Sequence, residues 1–296
     1  MNKEVIDLYS YFGVNKNEGA DGTLTAYTIE DYNFCPSRIR PAMLVISGGG
    51  YRAISQREKE PVAIEFLAKG YNVFILDYSI ICHKHPTQLL EGCMSIAFIR
   101  ENAKKFGVDP EHVGAIGFSA GGHLCGMLAT MYNDPEVIDA LGEERAKLCR
   151  PDAVILSYAV LSAYGKIHEG SFKILCGEDD DGTIRNKVDL PNRVTENSVP
   201  AFIWCTIGDT VVPCENSFLM AMAYREHGVP FEFHTFEIGG HGLSLATKET
   251  AAPSAPHQNN VPVQEWVQLM FTWLNGKGFI IKNKNEQEDF QQVIQE

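Results

Sequence analysis

From residue 41 onward the chain alternates short, nearly continuous apolar runs with longer stretches of helical period, and few architectures accommodate that rhythm. A strand that is apolar on both faces must be covered on both faces, which points to a parallel sheet held between two helical layers. The runs fall at 43–47, 72–78, 113–118, 153–159, 201–207 and 231–237, each the length of a core strand. Between the first two, Pro61 stands in the first turn of a helix. Val62, Ala63, Phe66 and Leu67 share one of its faces, and Gly70 offers the left-handed stop. A second helix is expected at about 87–106, with Leu89, Leu90, Cys93, Ala97 and Phe98 at helical spacing before the turn at Gly107-Val108-Asp109-Pro110. Two more are expected at 215–227 and about 263–274; in the former, Phe218, Leu219, Met222 and Ala223 form a stripe assigned to the core.

An alternating segment at 23–29 predicts an outer strand with one buried face. Stretches 133–150, 162–198 and 248–260 break the crossover rhythm, and insertions after strands are where pockets and lids are built. The expectation is a three-layer αβα architecture, mainly parallel, in a single domain spanning all 296 residues. Its core covers about 40–275, preceded by an N-terminal strand and arm at 1–40 and followed by a polar tail at 277–296.

Composition narrows the function classes. The net charge is −13 and the basic residues are scattered, so nucleic acid and anionic membrane surfaces are not expected partners. No apolar run approaches the length of a membrane span, and Met1-Asn2-Lys3-Glu4 does not open into the apolar core of a secretory signal. The eight cysteines, at 35, 82, 93, 125, 149, 176, 205 and 214, form no Cys-x-x-Cys pair. Several sit in apolar stretches, as small hydrophobes do, so a reducing and cytoplasmic compartment is expected. The acidic run from Glu178 to Asp181 lacks the ligand spacing of a calcium loop and reads as a solvated loop. His83-x-His85 lacks a third ligand and reads as a surface loop. Neither a metal nor a cofactor is expected.

The chemistry concentrates at strand ends. In Gly117-Phe118-Ser119-Ala120-Gly121-Gly122 a strand runs directly into a helix with Gly-x-Ser-x-Gly at the junction, the nucleophile elbow of the α/β-hydrolase fold. The serine must occupy a sharp turn to stand above the sheet, and side chains two residues to either side would strike neighbouring backbone. Ser119 at the helix N-terminus would also have N–H groups and the positive dipole end beside a developing oxyanion. A glycine-rich strand-turn-helix could equally cradle a dinucleotide. That fingerprint belongs near the first strand with an acid about twenty residues on, whereas this one follows the third run.

Ser47-Gly48-Gly49-Gly50-Tyr51 follows the first run, where a hydrolase of this fold supplies the other half of the oxyanion hole. The expected donors are Gly49, Gly50 and Ala120; a phosphate loop would need a Lys-Ser/Thr pair after the glycines, which is missing. Asp209 stands just past the carboxyl end of the run at 201–207, placed to orient a histidine or to cap the helix after Pro213. His241 lies between glycines after the last run, free to serve as general base in both half-reactions. The chain order Ser119, Asp209, His241 is the α/β-hydrolase order. His123, within the elbow helix, reads as a packing residue, and His168 as a substrate contact.

Taken together, Gly48-Gly49-Gly50-Tyr51-Arg52, Ser55-x-Arg57-Glu58, Gly117-Phe118-Ser119-Ala120-Gly121-Gly122-His123-Leu124, His168-Glu169-Gly170-Ser171-Phe172 and Gly239-Gly240-His241-Gly242 resemble bacterial esterases related to acetyl-xylan esterases and the BD-FAE group, over about 40–275. The resemblance implies carboxyl-ester hydrolysis without metal or cofactor, often removal of acetyl groups from sugars. The segment Trp204-Cys205-Thr206-Ile207-Gly208-Asp209-Thr210 departs from it in carrying a cysteine while keeping the acid. Tyr51, Arg52 and His168 are then expected to line the alcohol side of a small ester, an acetylated oligosaccharide in its sharpest form. A homo-oligomer is compatible with this expectation. Two other readings stay open: a peptidase of the prolyl-oligopeptidase type, and a noncatalytic binding protein on the same scaffold.

Overall fold

A computed structural model describes residues 1–31 and 37–284. Cys35 and residues 285–296 of the polar tail lie outside the described residues. The strands are β1 (Asn2–Asp7), β2 (Thr23–Thr28), β3 (Arg38–Ile46), β4 (Asn72–Asp77), β5 (Val108–Phe118), β6 (Ala153–Ser157), β7 (Ala201–Thr206), β8 (Phe231–Phe236) and β9 (Lys282–Asn283). They form one sheet in the order β1-β2-β4-β3-β5-β6-β7-β8, with β9 pairing the start of β3. All neighbours from β4 through β8 are parallel; β1 and β2 extend one edge antiparallel, and β9 also pairs antiparallel. The architecture is the expected mainly parallel α/β fold.

Period-two alternation on each strand feeds two cores. Ala42, Leu44 and Ile46 of β3 face a cluster shared with helices Thr87–Glu101, Ser119–Thr130 and Glu215–Glu226. Met43 and Val45 face the opposite cluster, covered by helices Glu60–Ala68 and Val261–Gly276. Pro61 and Gly70 stand as expected, the latter at φ +88°. The long helix predicted at about 87–106 is interrupted: Asn102 leaves helical geometry and bonds Phe98 O through its side-chain amide, and a short second helix, Ala103–Phe106, follows.

Two expectations are corrected. Of the stripe on the helix Glu215–Glu226, only Ala223 is buried, while Phe218, Leu219 and Met222 are 38–60% exposed. The helix is turned by polar anchors instead. Asn216 Oδ1 accepts the N–H groups of Leu161 and Ser162, and Tyr224 donates its hydroxyl to Val199 O. Second, His83 and His85 are buried rather than on a surface loop. The segment is pinned by His85 N–H donating to Leu175 O and by Gln88 donating to Ser79 O and His83 O. Among the described residues no cluster of three or more His, Cys, Asp or Glu could hold a metal ion, and no helix is long and apolar enough to cross a membrane.

Candidate active site

The site gathers at the carboxyl ends of the parallel strands, where loops are free to vary without disturbing the sheet. β5 passes into the helix Ser119–Thr130 with no intervening residue, and Ser119 sits at φ +53°, a left-handed conformation that a non-glycine residue holds only when its surroundings force it. The forcing contacts are visible. A Cβ on Gly121 would collide with the carbonyl oxygens of Ile46 and Ser47, and one on Gly117 with the carbonyl of Gly121. The elbow is therefore wedged against β3 and against its own first turn.

His241 arrives from the loop after β8 and Asp209 from the loop after β7. Thr206 Oγ1 donates to Gly239 O, holding the two loops together. The Ser119 hydroxyl lies 2.8 Å from His241 Nε2, and His241 Nδ1 lies 2.7 Å from Asp209 Oδ2. Because an ionised carboxylate only accepts, Nδ1 carries the proton and Nε2 is left to accept from the serine. Asp209 is fully buried, and its other oxygen accepts the N–H groups of Val211 and Val212 at 2.9 Å. The capping alternative for Asp209 thus falls: its backbone partners lie in a tight turn, and the next helix begins only at Glu215. Gly242, at φ +70°, lets the chain turn after the histidine against Arg57.

The glycine loop after β3 faces this line of groups. Gly49 and Gly50 have φ +132° and +65°, and a Cβ on Gly49 would overlap Ala53 O. Among the described residues neither glycine's N–H is engaged, while Gly49 O accepts from both Arg52 and Ala53. An open cleft of about 560 Å³ lies over these groups, lined by Gly49, Gly50, Arg52, Arg57, Ser119, His168, Val211 and His241 among others. His168 approaches Gly50 and bonds Ser171 Oγ through Nδ1 at 2.7 Å. Burial, and then the nearby His241, hold its imidazole below the usual histidine range.

Of the residues singled out by sequence, Ser119, Asp209, His241, Gly49, Gly50, Ala120, Arg52 and His168 come together here. Tyr51 does not. Its φ of +59° turns the side chain inward, where it is almost wholly buried and bonds His123 Nδ1 at 2.8 Å, so the expectation that it lines the alcohol side is corrected. His123 is the packing residue it was read as, with Nε2 on Val188 O, and burial lowers its pKa to about 4. Two residues given no role from sequence also sit here. Glu58 accepts Gly48 N–H at 2.7 Å and the hydroxyl of Tyr158 at 2.7 Å. Tyr158 packs its ring edge-on against His241, with centroids 5.1 Å apart. In sequence Glu58 resembles any acid just before a helix, and Tyr158 any aromatic at the end of a core strand.

Residues 36–224 match the BD-FAE family model. The endo-1,4-beta-xylanase B of Butyrivibrio fibrisolvens is 39% identical over 71% of this chain and 33% of its own length. An acetylxylan esterase of Xylanibacter ruminicola is 26% identical over 70% of this chain and 42% of its own length. The chain thus spans about a third to two fifths of those curated relatives. Among solved structures, an acetyl ester-xyloside bifunctional hydrolase from Caldicellulosiruptor lactoaceticus superposes with TM-score 0.79 at 34% identity, covering 94% of this chain and 97% of its own. The carboxylesterase Cest-2923 from Lactobacillus plantarum gives TM-score 0.79 at 27% identity, covering 95% and 99%. By its family match, its sheet and the disposition of these loops, the chain belongs to the BD-FAE family on the α/β-hydrolase fold.

Proposed function

We propose that the chain is a serine carboxylesterase that removes small acyl groups, acetyl in the first instance, from sugars or short xylo-oligosaccharides. The observation that carries this reading is the unbroken hydrogen-bonded line from Ser119 through His241 to Asp209, beside two unengaged N–H groups in an open cleft.

In the first half-reaction His241 Nε2 takes the hydroxyl proton as Ser119 Oγ attacks the ester carbonyl carbon. The carbonyl oxygen gains the displaced electron pair and is held by the N–H groups of Gly49, Gly50 and Ala120. The tetrahedral intermediate collapses, the alkoxide leaves, and His241 returns the proton to it. Water then repeats the sequence on the acyl-enzyme and releases the acid and free Ser119. Asp209 keeps Nδ1 protonated and stabilises the transient imidazolium. Arg52 and His168, at the cleft wall, are assigned to the alcohol part. The acetyl and xylose parts of the proposal lean on what the relatives are named for. A cytoplasmic location belongs to the same proposal, resting on buried cysteines that stay free, such as Cys125 and Cys93.

Ser119→Ala is expected to lower kcat on an aryl acetate by about 10⁴ or more; near-normal turnover in that variant removes the serine mechanism. Mass spectrometry of acetylated xylo-oligosaccharides, run beside dipeptide anilides, tests the substrate. Preferential cleavage of the anilides would shift the reading to a peptidase, and turnover of neither to a binding protein.

A further inference from the structure

We infer that Glu58 is a positioning residue that sets the oxyanion loop and the imidazole of His241 together, an inference that rests on the ester-hydrolysis reading. The residue is 2% exposed. Among the described residues no lysine or arginine pairs with it: neighbouring Lys59 is bound to Asp77, and Arg57 to Thr250 O and Gln258. Burying a carboxyl group without a cation is costly unless its oxygens are well supplied with donors. Both are supplied, and by the two halves of the site.

Oε2 takes the N–H of Gly48, the residue immediately before the two oxyanion donors expected of this loop, Gly49 and Gly50. Oε1 takes the hydroxyl of Tyr158. The Tyr158 oxygen in turn accepts the N–H of Ser244, three residues past His241, at 2.9 Å, while the ring packs on the imidazole itself. Tyr78 donates to Ser47 O at 2.9 Å, so the peptide group between Ser47 and Gly48 is gripped at both its oxygen and its N–H. A path of three hydrogen bonds therefore runs from the oxyanion loop through Glu58 and Tyr158 to the histidine loop. Two donors converge on one side chain, and a carboxylate offers two acceptor oxygens with no proton of its own. An amide offers only one oxygen and would turn an N–H group toward one of the donors.

This ordering makes the test. With an aryl acetate, Glu58→Ala is expected to lower kcat by about 10² to 10³, the effect of losing an oxyanion donor, with KM within about threefold. Glu58→Gln, which keeps one of the two acceptors, should lose about tenfold. Tyr158→Phe keeps the aromatic ring and should lose kcat by a similar factor. The double variant Glu58→Gln/Tyr158→Phe should be little worse than either alone, because both substitutions break the same path. Thermal melts establish that each variant is folded. The inference is overturned if Glu58→Ala keeps kcat within threefold, if the loss lies in KM alone, or if the two substitutions multiply. Failure of the ester reading has another mark, since wild type and Ser119→Ala would then hydrolyse the aryl acetate equally, and both readings would fall.

Discussion

The elbow and the cleft rim sit a few residues apart in space and are built on opposite terms. Around Ser119 the backbone is packed against backbone: glycines 117, 121 and 122 each face a carbonyl or a side chain that a Cβ would strike, and every residue from Ser119 to Ala129 is buried. The rim contributed by the stretch 162–198 has buried anchors beneath it, such as Val188 O on His123, but its outer face is tied by pairs in solvent, such as Arg185 on Glu169 and Lys84 on Asp179. Close-packed backbone transmits any change in shape, whereas solvated ion pairs give way at little cost. The first region can hold an attacking atom to a fraction of an ångström. The second can change its contacts with the alcohol part of a substrate while the sheet stays as it is.

The contrast is broken most severely from the inside. Asp209→Asn should leave the fold in place and still drop kcat by about 10⁴, because an amide can present its N–H group to Nδ1 and so stabilise the wrong tautomer. Steady-state kinetics with a circular dichroism check of folding read this out. A loss below tenfold would mean that Asp209 serves only its own turn.

A smaller effect concerns His123, behind the elbow. Both ring nitrogens are used by the neutral form, Nδ1 accepting from Tyr51 and Nε2 donating to Val188 O, and burial holds the pKa near 4. The unfolded chain takes up this proton near pH 6.5, before the folded one does. The stabilising contribution is therefore present above about pH 6.5 and is lost as pH falls through about 4. Buried His85, also held at about 4, adds to the same window. Denaturant titrations at pH 7 and pH 4.5 should show the loss, and His123→Gln should flatten it. An unchanged slope in that variant would place the acid sensitivity elsewhere.

At the rim, Arg185→Ala removes the pair with Glu169 and should shift stability by less than about 1 kcal/mol, with kcat on an aryl acetate unchanged. A large loss of kcat would show that the rim is coupled to the elbow after all.

What could be read from sequence follows the same division. The elbow, the acid and the histidine were legible because the chemistry demands particular residue types at strand ends in one chain order. Five of the six core strands were legible because burial on both faces leaves apolar runs, whereas β8, at the sheet edge with no fully buried residue, was legible through its alternating aromatic residues. β1 was not, since only Ile6 of its six residues is buried and the strand exists through backbone pairing with β2. The helix Glu215–Glu226 misled because its orientation is fixed by Asn216 and Tyr224 rather than by its apolar stripe. Tyr51 misled because one positive φ reverses its side chain. Glu58 stood in a motif of the resemblance but showed no role, because its partners stand 10 and 100 residues away in the chain.

The account stands on Ser119 being an attacking group aligned with His241, and covalent labelling tests that most directly. A fluorophosphonate should attach once per chain, on the peptide carrying Ser119, with attachment abolished in Ser119→Ala and greatly slowed in His241→Ala. Labelling on another residue, or equal labelling rates in wild type and His241→Ala, would contradict it.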